Sequence, residues 1–142
     1  AVLAKQAATI DRISGGRLSL NVVSSWWADE ARRFGVRFDQ HDDRYARTAE
    51  WLAVVDGCWR EPSFSFTGSY YSVEQSIVAP KPLRRPRPVI YAGGESEAAK
   101  SLIASAADAY VMHGDEPATI AARVGDLRTR RHATGRAPLH FG

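Results

Sequence analysis

The sequence has one cysteine and no long apolar segment. Cys58 has no second cysteine to pair with, so nothing argues for a disulfide or for an oxidising compartment. No apolar run approaches the ~20 residues that span a bilayer, and no signal-peptide core opens the chain. These absences predict a cytoplasmic protein with no membrane partner.

The chain also lacks a large excess of charge of one sign. The chain has 19 Lys and Arg against 16 Asp and Glu, which gives a net charge of +3. The basic residues are scattered, apart from short clusters at 83–87 and 128–132. A nucleic-acid-binding domain has a denser basic surface, so we expect no nucleic-acid partner. The 44% hydrophobic content is ordinary for a globular domain and argues against disorder.

The length of 142 residues would fit one domain. However, Ala1 already lies in a helical pattern, and the only methionine is Met112. We therefore expect an internal piece of one larger domain, which for a barrel has ~250 residues.

The first half of the chain predicts a helix, a strand, a second helix and a hairpin. Residues 2–13 place apolar side chains at helical spacing, and 17–24 has the short β-branched pattern of a strand. Residues 26–40 have no sustained period and predict a short helix or an ordered loop. A longer apolar stripe predicts a helix over 42–59, and 64–73 alternates aromatic and polar residues around a Gly-Ser turn, as β-hairpins do. The residues of the two helical faces are Leu3, Ala7, Ile10 and Ile13, then Tyr45, Thr48, Leu52, Val55 and Trp59.

The second half alternates strands and helices. After an extended connector with four prolines at 80–88, the pattern predicts strand 89–92, helix 96–106, strand 109–112, helix 116–133 and the start of a strand at 139–141. Such alternation is typical of an α/β fold with a parallel sheet, either a (β/α) barrel or a doubly wound sheet.

Ligands of parallel α/β folds bind where the strands end, at the carboxyl edge of the sheet. Three segments of this chain lie at such places: 21–25, 93–96 and 113–115. In the second, Gly93 and Gly94 would let the backbone approach a ligand, and Ser96 would begin a helix whose free N–H groups attract an anion. A phosphate would fit there. The alternative is a plain turn in which Ser96 only caps the helix.

Other candidate residues are less specific. His41 and Tyr45 share one face at the start of the long helix, but no set of ligands with metal-binding spacing surrounds them, so we expect no metal. Trp26 and Trp27 would line an aromatic pocket or cover the rim of the sheet. The chain has no nucleophile elbow, no dinucleotide fingerprint and no phosphate-binding P-loop motif.

Four motifs, in this order and spacing, resemble those of the bacterial luciferase-like flavin-dependent monooxygenases. They are the segments 7–17, 21–24, 41–45 and 91–99. The resemblance extends over nearly the whole chain. It implies the central portion of a (β/α)8 TIM barrel, with the hairpin near 64–73 as an excursion, so that 1–142 would be an internal fragment of a single barrel domain.

The resemblance also implies a cofactor and its site. Reduced FMN (FMNH2) would come from a separate NAD(P)H-dependent flavin reductase and would react with O2 to oxygenate the substrate. By motif, Asn21 and Ser24 would lie near the flavin ring, and His41 and Tyr45 near its ribityl or phosphate end. The residues expected at the phosphate itself are Gly94, Glu95 and Ser96. The family's catalytic residues fall outside this chain, and the full-length protein is expected to be a homo-oligomer.

Within the family, the tryptophan pair in 21–30 is most similar to the branch that oxidises small organosulfur compounds. The implied reaction converts dimethylsulfone to methanesulfinate, with Trp26 and Trp27 in the substrate pocket. Two alternatives remain open: an oxygenase of alkanesulfonates, whose charge would need cationic partners, and a flavin-binding relative without activity.

Overall fold

The structure is a computed structural model that describes residues 1–142. Its elements are α1 (Val2–Ile13), β1 (Ser19–Val22), α2 (Ala28–Arg33), α3 (His41–Arg60), β2 (Phe64–Thr67), β3 (Ser72–Ser76), β4 (Val89–Gly93), α4 (Glu97–Ala106), β5 (Ala109–Val111), α5 (Pro117–Ala133) and β6 (His140–Phe141). The chain divides into two compact units. The first comprises Ala1–Ser19 and Ala46–Pro88, and the second Leu20–Tyr45 and Val89–Gly142.

The first unit is built on α1 and the greater part of α3. The predicted stripe of α3 is confirmed, and its last three members, Leu52, Val55 and Trp59, are fully buried. The indole of Trp59 donates a hydrogen bond to the carbonyl of Ala4, 2.8 Å away. Helices α1 and α3 are therefore in direct contact.

Helix α1 has the predicted bounds but buries a different face. Its buried residues are Ala4, Ala7, Ala8 and Asp11. Of the predicted face only Ala7 is buried, whereas Leu3, Ile10 and Ile13 are exposed. The predicted helix is confirmed, but within this chain its larger apolar side chains stay exposed. The small side chains instead face the core, where they let Trp59 reach the backbone of α1.

A buried carboxylate fixes the connector that contains the prolines. Asp11 is completely inaccessible to solvent. It accepts backbone hydrogen bonds from Leu18 at 3.3 Å, Leu83 at 2.7 Å and Arg84 at 3.0 Å. Since a buried carboxylate without donors would be strongly destabilising, these three bonds hold the connector against the end of α1.

The predicted hairpin is confirmed as the antiparallel pair β2 and β3. Its turn is held by Glu50 of α3, whose carboxylate accepts hydrogen bonds from the backbone N–H groups of Ser69, Tyr70 and Tyr71 at 2.8 to 3.1 Å. Partial desolvation raises the pKa of Glu50, but the three N–H donors together lower it below its ordinary value. The carboxylate therefore stays ionised on the turn.

The second unit contains a four-stranded sheet in the order β1-β4-β5-β6. Strand β5 pairs in parallel with both β4 and β6. Helix α4 packs on β4 and on α5, and its apolar side is buried through Leu102 and Ile103. The alternation of strands and helices predicted for 89–141 is confirmed, and it places the unit in the α/β class. Strand β1, at Ser19–Val22, is shorter than the predicted 17–24.

None of the helices is both long enough and apolar enough to cross a membrane.

Two helical glycines provide a matched test of packing in this fold. A Cβ at Gly57 of α3 would lie 2.2 Å from the ring of Phe64, whereas one at Gly125 of α5 would meet no atom within 4 Å. Alanine favours a helix over glycine, so Gly125→Ala should raise the free energy of unfolding by about 0.5–1 kcal/mol. Gly57→Ala should lower it by about 1–3 kcal/mol because the Phe64 ring must move. Urea unfolding of both variants checks this, and stabilisation by Gly57→Ala would contradict the packing described.

Candidate functional site

A cavity of about 650 Å³ lies at the carboxyl ends of β1, β4 and β5. All the residues that line it belong to the second unit. They are Asn21, Val23, Ser25, Trp26, His41, Arg44, Tyr45, Gly93, Gly94, Glu95, Ser96, Tyr110, Val111, Met112 and His113. The three strand ends therefore meet at one place, as the alternating pattern predicts.

The turn between β4 and α4 forms one wall of the cavity. Gly94 has a φ of +135°, a conformation that favours glycine. A Cβ at this position would lie 2.7 Å from the Cβ of Ala99 and 3.0 Å from the hydroxyl oxygen of Tyr45. No side chain fits there, so the backbone itself forms this part of the wall.

Helix α4 begins at this wall. Its N-cap is Ser96, as predicted, and the Ser96 hydroxyl accepts a hydrogen bond from the N–H of Ala99 at 3.2 Å. The other N–H groups of the first turn have no acceptor within the helix, and the helix dipole makes this end positive. The turn can therefore hold an anion by backbone donors and one hydroxyl.

Glu95 introduces a negative charge beside this helix end. Its carboxylate forms an ion pair with Arg123 of α5, with an N–O distance of 3.0 Å. The same nitrogen of Arg123 lies 2.9 Å from a carboxylate oxygen of Asp115, in the loop after β5. Glu95 therefore lines the cavity with its charge compensated.

Glu97 is held away from the cavity by a second group of cations. Its carboxylate pairs with Arg130 at 2.6 Å and with Lys100 at 3.1 Å. The hydrogen bond from Arg130, and then that from Lys100, lowers the pKa of Glu97 below its ordinary value. Glu97 does not line the cavity, and its carboxylate is paired with Arg130 and Lys100.

The first turn of α3 contributes two aromatic rings to the cavity. The rings of His41 and Tyr45 lie 4.9 Å apart between centroids. Nδ1 of His41 is 2.7 Å from a carboxylate oxygen of Asp42. Because the Tyr45 hydroxyl approaches Gly94, this turn and the β4–α4 turn border the same space.

Arg44 also lines the cavity, although no role is predicted for it from the sequence. Its guanidinium donates to the carbonyls of Ser24 and Ser25, both at 3.2 Å, and to that of Asp39 at 2.7 Å. These carbonyls lie at the two ends of the excursion that contains α2. Arg44 therefore fixes where the excursion leaves β1 and where it returns to α3. Its place in the 41–45 motif was the only signal in the sequence.

The remaining predicted site residues divide into two groups. Asn21 and Trp26 line the cavity, whereas Ser24 and Trp27 do not. Ser24 is buried, and Trp27 stacks against Trp26 with 6.2 Å between ring centroids. Arg33 lies over the Trp27 ring. The roles that motif similarity suggests for these residues stay predictions.

The end of β5 supplies lining residues that sequence reasoning located but to which it gave no role. His113 follows the strand, and Tyr110 lies within it. Burial raises the pKa of Tyr110, and the negative charge of Glu95 raises it further. The phenol is therefore neutral at pH 7. Val111 and Met112 add apolar surface beside it.

Comparison with known proteins gives consistent results. The model of the luciferase-like monooxygenase family matches residues 1–141. The chain is 41% identical over 137 residues to an FMNH2-dependent dimethylsulfone monooxygenase of Pseudomonas putida, covering 96% of this chain and 38% of that protein. It is 38% identical over 133 residues to a protein of the same name from Pseudomonas fluorescens strain Pf0-1, covering 94% and 36%.

The solved structures agree on the fold. The crystal structure of a long-chain alkane monooxygenase superposes with a TM-score of 0.88 at 26% identity, over 99% of this chain and 37% of that one. The chain thus spans less than two fifths of the length of these relatives, and it forms part of their (β/α)8 barrel. The expected family and fold are confirmed: the chain belongs to the luciferase-like monooxygenases.

Proposed function

We propose that the protein containing this chain is an FMNH2-dependent monooxygenase that oxidises dimethylsulfone to methanesulfinate. A separate flavin reductase would supply the reduced FMN, and O2 would be the oxidant. The observation that supports this most directly is the β4–α4 turn, where Gly94 leaves the backbone open and the first turn of α4 offers N–H donors that suit an anion. The 41% identity to a dimethylsulfone monooxygenase supports the choice of substrate.

The residues of the cavity fit a flavin phosphate. Gly94 leaves room for a ligand against the backbone, and the first turn of α4 offers N–H donors. The cavity volume is within the range usual for small-molecule sites. We assign the phosphate to Gly94, Glu95 (by its backbone) and Ser96, the ribityl or phosphate end to His41 and Tyr45, and the ring region to Asn21. Ser24 does not line the cavity, so its proposed contribution is to the position of the strand end.

Bound reduced FMN would supply the two electrons that activate O2. In the overall reaction, dimethylsulfone, O2 and FMNH2 would give methanesulfinate, formaldehyde, water and FMN. The chain's own part is to hold the cofactor and to exclude water from the reaction. Trp26, Val23 and Met112 add apolar surface to the cavity.

In the part of the pocket that this chain forms, the charges of the lining are compatible with a neutral sulfone. An anionic sulfonate requires cationic donors. Arg44 is the one arginine that lines the cavity, and its guanidinium already donates to three backbone carbonyls. A small uncharged substrate beside Trp26 needs no such partner.

A substrate comparison tests this proposal. The full-length protein, with a flavin reductase, NADH, FMN and O2, should form methanesulfinate and formaldehyde in equal amounts from dimethylsulfone. Turnover of methanesulfonate or octanesulfonate under the same conditions should be at least tenfold slower. NMR of the products and oxygen consumption measure both. A preference for the sulfonates would indicate the alkanesulfonate alternative, and FMN binding without coupled turnover would indicate a flavin-binding protein without this activity.

The Ser96 hydroxyl should act both as the cap of α4 and as a phosphate donor. Ser96→Ala should lower the stability of the apoprotein by about 1 kcal/mol, since it removes one N-cap. The loss of a hydrogen bond to a charged group should weaken FMN binding about ten- to a hundredfold. Ser96→Gly should largely preserve the stability but not the affinity. FMN titration and thermal unfolding separate the two effects, and FMN affinity of Ser96→Ala within twofold of the wild type would leave Ser96 as a cap alone.

A further inference from the structure

Arg123 connects the two loops that border the anion site. One terminal nitrogen lies 3.0 Å from a carboxylate oxygen of Glu95 and 2.9 Å from one of Asp115. These residues follow β4 and β5, and Glu95 lines the cavity. The Arg123 side chain is 18% exposed, whereas the side chains of Glu95 and Asp115 are 48% and 39% exposed, so solvent screens these pairs from the carboxylate side.

The geometry at Arg123 is not that of a bridge optimised for stability. Its other terminal nitrogen is fully enclosed and has no hydrogen-bond partner. An enclosed donor without an acceptor is destabilising. The favourable interaction of Arg123 is therefore its attraction to the carboxylates of Glu95 and Asp115.

That attraction matters because of where Glu95 lies. Glu95 directly precedes Ser96, the N-cap of α4, and so lies next to the helix end that would attract an anion. Glu95 and Asp115 with Arg123 sum to one negative charge, and without Arg123 they sum to two. A phosphate at the helix end would then meet an uncompensated carboxylate.

We propose that Arg123 is a positioning residue of the phosphate site. It holds the Glu95 carboxylate and lowers the net charge of Glu95 and Asp115 from two negative charges to one, so that the first turn of α4 can bind the phosphate of FMN. This inference rests on the proposed function. It also explains how an acidic side chain can stand beside an anion site.

A binding experiment with four variants of the full-length protein tests this inference. The variants are Arg123→Met, Glu95→Gln, their combination, and Arg130→Met as the control. Arg130 is also an arginine of α5 that pairs with a glutamate, but its partner Glu97 does not line the cavity. The ligands are reduced FMN and reduced riboflavin, titrated anaerobically at low ionic strength. Riboflavin has the same ring and ribityl chain without the phosphate.

Arg123→Met should weaken the binding of FMN about five- to tenfold and change that of riboflavin less than twofold. Adding Glu95→Gln to it should restore FMN affinity to within about twofold of the wild type, because the repelling charge is gone. Arg130→Met should leave both affinities unchanged. Higher salt should reduce the Arg123→Met defect.

Several results would overturn the inference. If Arg123→Met weakens the binding of FMN and riboflavin equally, and adding Glu95→Gln does not restore FMN binding, Arg123 has only a structural role. If FMN binding is unaffected, the ion pair does not influence the site. A wild-type protein that binds no FMN would refute the proposed function itself, and this inference with it.

If Arg123→Met does not fold, another variant tests the inference. Asp115→Asn removes one negative charge and leaves the pair of Arg123 with Glu95 in place. It should tighten FMN binding about two- to fivefold and leave riboflavin binding unchanged. Unchanged or weaker FMN binding would contradict the inference.

Discussion

The absence of space for a side chain at position 94 is the constraint on which the candidate site depends. A Cβ there would come within 2.7 Å of Ala99 and 3.0 Å of the Tyr45 hydroxyl. The turn after β4, the first turn of α4 and the first turn of α3 therefore close on one point. With a φ of +135°, glycine meets both the conformational and the spatial demand. The cavity takes its shape from this close approach of backbone.

The acidic side chains around this backbone wall form ion pairs with arginines of α5. Glu95 is paired with Arg123, and Glu97 with Arg130. Arg44 instead donates to backbone carbonyls and fixes the ends of the excursion that contains α2. Besides these paired groups, the cavity is lined by backbone, hydroxyl groups, the imidazoles of His41 and His113, the Asn21 amide and apolar surface.

The sequence predicted those features that depend on neighbouring residues. The turn at Gly94 and the cap at Ser96 follow from local chemistry, and the helices follow from their periodicity. Contacts between distant residues could not be predicted in this way. The pair of Glu95 with Arg123 spans 28 residues, and nothing in either segment indicates it. The side of α1 that is covered depends in the same way on Trp59 of another helix, whose indole donates to the carbonyl of Ala4.

Alanine at position 94 tests the central claim most directly, with Gly114→Ala as the matched control. Gly114 lies in the neighbouring loop after β5, and a Cβ there would meet no atom within 4 Å. In the full-length protein, Gly94→Ala should weaken FMN binding at least tenfold, or about 1.4 kcal/mol, and Gly114→Ala should leave it within twofold. Equal FMN affinity of Gly94→Ala and the wild type, measured by titration of flavin fluorescence, would contradict the account.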